Sequence, residues 1–113
     1  MALILAVDTS ATPVSCALLQ EERVLASYYS HSGQTHSQTL MPMIEHVLQL
    51  SGVSVKQLDA VAVNVGPGSF TGVRIGVSTV KGLTFADEIP CIAVSTLEAM
   101  AEPLRSLPME GMI

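Results

Sequence analysis

The 113-residue sequence has no tryptophan, four other aromatic residues, two cysteines and five basic residues. Each scarcity removes a class of function. With so few rings, a platform for stacking nucleic-acid bases has little to be built from. The basic residues, Arg23, Lys56, Arg74, Lys81 and Arg105, are scattered along a chain of net charge −5. Gripping nucleic acid needs clustered Lys and Arg, so direct nucleic-acid binding by this chain alone is excluded. Cys16 and Cys91 lie far apart and fit no metal spacing; they read as two buried thiols of a reduced, cytoplasmic protein. No apolar run is long enough to span a bilayer, so no membrane partner is expected. The opening "MALILAVDTS" has no basic flank and is broken by Asp8. It reads as a strand, not a signal peptide.

What is present is apolar. Hydrophobic residues make up 49% of the chain, charged residues 13%, and the mean hydropathy is +0.49. Such a chain builds a true core, and residues 1–113 are expected to be one domain or part of one. It is also apolar enough to suggest that a partner covers part of its surface.

The order of elements follows from the hydrophobic pattern. Leu3–Val7 is a continuous apolar run, as expected of a strand buried on both faces. Val14–Gln20 and Val24–Ser30 follow through short links, which predicts an antiparallel meander. Leu40, Met41, Met43, Ile44, Val47, Leu48 and Leu50 read as a helix whose apolar residues spread over roughly half its circumference. A helix on a sheet needs a narrower stripe, so this one is expected to touch something further. Pro42 should lie in its first turn or kink it, and Gly52 should cap its end. Leu58–Val65 is a fourth strand that joins the sheet in parallel after the helical crossover. A helix from about Thr71 to Phe85, a fifth strand Ile89–Val94 and a third helix opened by Ser95 and Glu98 as a capping box complete the pattern.

Between the fourth strand and its helix lies "NVGPGSFTGVRIG", Asn64–Gly76. It is not a standard phosphate loop. A Walker loop needs Lys after its last Gly, and both the Walker and the dinucleotide patterns fail at Thr71. Gly66 and Gly68 should adopt backbone angles closed to other residues, with Pro67 fixing the turn between them. Gly68, Gly72 and Gly76 recur every fourth residue, so Gly72 and Gly76 share one helix face. Two helical glycines cost about 1 kcal/mol each relative to Ala, so something offsets them. Two readings stay open: close packing against the protein's own first helix, or close approach of a second protein.

"ILAVDTS", "THSQTLMPMIE", "GPGSFTGVRIG" and "IPCIAVSTLEAMA" together resemble the TsaB (YeaZ) family over nearly the whole chain. The resemblance implies an α/β fold: the N-terminal ribonuclease-H-like half of the actin-like, Hsp70-like ATPase fold, a five-stranded mixed sheet with helices. Family members are about twice as long, so the second half is expected to be absent here. It implies a part in making threonylcarbamoyladenosine in tRNA, with TsaB as the noncatalytic paralogue and scaffold of the catalytic subunit TsaD and with TsaE as accessory ATPase. TsaD carries a His-x-x-x-His metal pair after the matching fifth strand. Those positions fall here on Thr96 and Met100, neither a plausible ligand. The histidines His31, His36 and His46 form no i, i+3 or i, i+4 pair, so no metal and no cofactor are expected. In the superfamily the first strand turn sits near nucleotide phosphates and magnesium, which makes Asp8, Thr9 and Ser10 an incomplete phosphate site; ordinary turn chemistry is the plainer reading of the same residues.

The chain is therefore expected to bind a TsaD-like subunit through its first two helices. The residues expected at that face are Met41, Met43, Ile44, Val47, Val73, Arg74 and Val77, with Gly72 and Gly76 permitting approach. In isolation the same face would pair with itself in a homodimer. The alternatives are a glycoprotease-like metalloendopeptidase and an actin-fold kinase. Ser69 and Ser95 have no histidine paired with them in sequence, and a kinase needs the second domain.

Overall fold

Alternation decides which way the strands face. The computed structural model describes residues 2–11, 13–21, 23–31 and 36–95. Strand β1 (Leu3–Asp8) pairs antiparallel with β2 (Val14–Gln20), and β2 pairs antiparallel with β3 (Arg23–Ser30). On its other side β1 runs parallel to β4 (Ala60–Asn64), and β4 runs parallel to β5 (Cys91–Val94). The five-stranded order is β3-β2-β1-β4-β5. This is the mixed sheet, meander and parallel crossover expected from the sequence. Leu5 lies opposite Leu18 and beside Val61, and Val7 lies opposite Cys16 and beside Val63. All six are buried and form one face of the core. Between Leu18 and Leu19 the register with β3 shifts, leaving Leu25 as the extra residue. Such a bulge re-aims the strand, and Leu25 packs half-buried against the core.

Helix α1 (His36–Ser51) connects β3 to β4, and α2 (Phe70–Phe85) connects β4 to β5. Both crossovers step toward the same sheet edge. Crossovers of one hand put both helices on one face, and the core cluster joins residues of both helices to that face. The buried residues of α1 are Leu40, Met43, Ile44, Val47 and Leu48. Their spacing is the i, i+3, i+4, i+7, i+8 stripe of a helix lying on a sheet. The wide apolar band is thus corrected: most of it is this stripe, while Met41 is half-buried and Leu50 is 67% exposed. Pro42 lies one turn deeper than expected, because the helix starts at His36 rather than near Leu40.

Gly52 closes α1 with φ of 67°, its N–H donating to Gln49 O at 3.1 Å and that of Val53 to Leu48 O at 3.0 Å. This is the two-bond closure that favours glycine. The end of α2 repeats it, with Glu88 N–H to Phe85 O at 3.4 Å and Ile89 N–H to Thr84 O at 3.1 Å, around Glu88 at φ 52°. A 3-10 turn at Val55–Gln57 precedes β4; its N-cap Ser54 pairs reciprocally with Gln57. Leu58 is buried at the end of that turn, which is why β4 begins at Ala60 and not at Leu58. The expected third helix from Ser95 lies outside the described residues, as do Thr96 and Met100.

Candidate functional site

The glycine loop is built around Asn64, the last residue of β4. Its side chain is buried; its Oδ1 accepts from Gly66 N–H at 2.8 Å, and its Nδ2 donates to Asp8 Oδ2 at 3.3 Å. Gly66 has φ of 102°, a conformation that L side chains rarely adopt. Ser69 caps α2, its Oγ accepting from Gly72 N–H at 3.2 Å. Gly68 has no such φ. It is glycine for a different reason: a Cβ there would lie 2.5 Å from Ser10 O and 2.8 Å from Ser10 Cβ. The expectation of an unusual angle holds for Gly66 and is corrected to close contact for Gly68.

The partner in that contact is the turn between β1 and β2. Ser10 O accepts from Ser69 N–H at 2.7 Å. The Thr9 hydroxyl donates to Gly72 O at 2.6 Å. A Cβ on Gly76 would run into Thr9 Oγ1 and lie 3.5 Å from Val63 Cγ2. Gly72 and Gly76 are buried in line with Val80 and Thr84. The repeat of glycines is therefore a seat for the protein's own first turn. Of the two readings left open, the geometry is that of internal packing, but against the β1–β2 turn and not against the first helix. This corrects the expectation that Gly72 and Gly76 let a second protein approach.

Asp8, Thr9 and Ser10 are brought together, chiefly to serve the turn. Asp8 Oδ1 accepts from Ser10 N–H at 2.8 Å and from the Ser10 hydroxyl at 2.6 Å. Thr9 is wholly buried, with its hydroxyl pointed into α2, and Ser10 is buried as well. A Thr9 hydroxyl so placed cannot also reach a phosphate arriving from solvent, which corrects its place in that candidate site. Asp8 borders a hollow of about 400 Å³ on the uncovered sheet face, floored by Ala6, Ala17 and Ala62. Cys16, on the covered face, has its thiol pushed up to about 11 by burial, so it is a poor nucleophile. Among the described residues no three His, Cys, Asp or Glu side chains gather where a metal ion could be held.

The residues expected at a docking face divide. Met43, Ile44 and Val47 are core residues and are removed from that set. Met41, Val73 and Val77 are half-buried, and Arg74 is exposed. Opposite the glycine line, α2 carries an exposed stripe of Phe70, Arg74, Ser78, Lys81 and Phe85. Phe70 is 75% and Phe85 85% exposed, and the Arg74 guanidinium carbon stands 5.4 Å from the centroid of the Phe70 ring. A groove of about 390 Å³ runs beside them, lined by Thr71, Arg74, Ile75, Ser78 and Thr79. Phe70 and Phe85 were not anticipated. The signal was available: once Gly72, Gly76, Val80 and Thr84 point inward, residues 70, 74, 78, 81 and 85 must point outward.

A family model described as TsaD, tRNA N6-adenosine threonylcarbamoyltransferase, matches residues 25–110. The chain belongs to that family. Among TsaD relatives it is similar to the tRNA threonylcarbamoyladenosine biosynthesis protein TsaB of Escherichia coli (strain K12), at 42% identity over 99 residues, 88% of this chain and 42% of that protein. It is also similar to the structure of YeaZ from Pseudomonas aeruginosa, with a TM-score of 0.85 and 42% identity over 95% of this chain and 50% of that one. The chain thus spans about half the length of the TsaB and YeaZ relatives it matches, and corresponds to their N-terminal domain. The RuvC structure from Thermus thermophilus agrees in fold alone, with a TM-score of 0.60, 14% identity and coverage of 86% of this chain and 66% of that one. The fold is the actin-like, ribonuclease-H-like α/β fold.

Proposed function

We propose that this chain is the N-terminal part of a TsaB-type scaffold subunit for forming threonylcarbamoyladenosine in tRNA. It docks a TsaD-like catalytic subunit and performs no chemistry of its own. The observation that carries the docking is the outward stripe of α2: two exposed phenylalanines bracket Arg74 and Lys81, and α2 contains no acidic residue. Exposed aromatics beside arginine are the composition of binding hot spots. Val73 and Val77, half-buried on the same helix, border this stripe, and Met41 is half-buried on α1. The reading includes a TsaE-like ATPase as a further partner, self-pairing when TsaD is absent, and a cytoplasmic setting, in keeping with the lack among the described residues of any helix long and apolar enough to cross a membrane.

The test is binding of the full-length protein to a TsaD-like subunit, measured by calorimetry. Arg74→Glu should weaken it at least about tenfold, the scale of a charge reversal at a hot spot. Unchanged binding by a folded Arg74→Glu protein would sink the docking reading. Stoichiometric metal together with ATP turnover by the isolated full-length protein would favour the enzyme alternatives.

A further inference from the structure

The first two turns of α2 have two sides. The outer side carries Phe70 and Arg74, with Val73 half-buried between them and the loop. The inner side is gripped by the β1–β2 turn, which meets it at the helix cap, at Gly72 and at Gly76. Thr9 is the centre of that grip. It is wholly buried, its hydroxyl donates to Gly72 O, and its oxygen fills the space that a Cβ on Gly76 would need. A backbone carbonyl has two lone pairs, so Gly72 O can accept from Thr9 and still serve the helix ladder. Thr9 therefore ties the start of α2 to the end of β1 across 63 positions of sequence. The later turns of α2 lack this tie: Val80 and Thr84 pack there instead, and Gly82 has open space around it.

From this geometry we infer that Thr9 is a positioning residue for partner recognition. Its hydroxyl fixes how the first two turns of α2 sit on the sheet. That fixes where Phe70 and Arg74 stand, although Thr9 itself touches no partner. The inference rests on the docking reading above.

Thr9→Val keeps the shape of the side chain and removes the donor, while Thr9→Ser keeps the donor. Both are made in the full-length protein and compared at a temperature where circular dichroism shows them folded. The readouts are affinity for the TsaD-like subunit and amide exchange within residues 70–77 against residues 78–85. Thr9→Val is expected to exchange faster in 70–77 only and to bind about fivefold more weakly, the effect of losing one buried hydrogen bond from a coupled site. Thr9→Ser should match the parent in both. Wild-type affinity in Thr9→Val overturns the inference, as does faster exchange spread evenly along α2, which marks general loosening. If Thr9→Val does not fold, Thr9→Ala against Thr9→Ser decides by the same two readouts. Should Arg74→Glu weaken binding while Thr9→Val does not, the positioning role alone falls. If Arg74→Glu has no effect, the docking reading falls and the positioning role with it.

Discussion

The two faces of the sheet are made from alternate residues of the same strands, yet they are different surfaces. One presents Leu5, Val7, Cys16, Leu18, Val61 and Val63, all buried beneath the two helices. The other presents Ala6, Ala17 and Ala62 in a row across three strands, flanked by Ser15, Ser27 and Tyr29, and borders the 400 Å³ hollow. No helix covers it among the described residues. Large residues mark the face whose cover is in place. On the other face the three central alanines are small and half-buried, so the middle is shallow, with Ile4, Leu19, Tyr29 and Ile92 standing around it. Strands running parallel are ordinarily covered on both sides. The contrast teaches that the helices secure the fold from one side, so stability and openness are properties of opposite faces.

The largest effect that could break this contrast is truncation of the covered face. Leu5→Ala should cost about 2–5 kcal/mol, the range for a fully buried leucine. Ala62→Ser, on the open face, should cost well under about 1 kcal/mol, as half-exposed sites do. Urea melts of the two variants measure both. Equal costs would mean that the faces are equally packed.

A smaller effect sharpens the contrast through pH. The Cys16 thiol is raised from 9.0 to about 11 in the folded state by burial on the covered face. The unfolded chain then releases this proton at lower pH than the folded one. Stability from this group is complete below about pH 9 and declines as pH rises toward 11, by up to about 2–3 kcal/mol. Denaturant melts at pH 7, 9 and 10.5 should show the decline in the parent and a flatter profile in Cys16→Val. Identical profiles would remove burial of Cys16 as a source of pH dependence.

The smallest effects separate the inner and outer sides of α2. Gly76→Ala should destabilise by about 1–3 kcal/mol, because its Cβ meets Thr9. Gly82→Ala has nothing within 4 Å and should stabilise by up to about 1 kcal/mol. Thermal melts that move the same way for both would contradict the inward direction of the glycine line.

Much of the fold was legible because it rests on local pattern. β2 matches its expected bounds at both ends, since Val14–Gln20 lies between clear turn residues. The meander and the parallel entry of β4 followed from link lengths, whereas the placing of β4 beside β1 and of β5 beside β4 came from the structure. The helix start at His36 was not legible, because the polar run "THSQ" hides the first turn before any apolar residue appears. Leu58 was misplaced because burial and strand membership look alike in an apolar run. At the candidate site, the spacing of Gly68, Gly72 and Gly76 was legible but its direction was not. That direction depends on Thr9 and Ser10, which lie next to α2 only in the folded chain. Conversely, Met43, Ile44 and Val47 looked available to a partner because an apolar stripe does not announce what it faces.

The grip of Thr9 on Gly72 also has a consequence in time. The β1–β2–β3 meander closes on short loops, whereas this bond joins groups 63 positions apart. Closing a longer loop carries a larger entropic penalty, and chains emerge from the ribosome N-terminus first. The meander is therefore free to form while α2 is still being made. The Thr9–Gly72 bond can close only once α2 has been made, so α2 is the later of the two elements it joins. On the docking reading proposed above, the surface offered to a partner therefore lies on the element of this pair that is synthesised last.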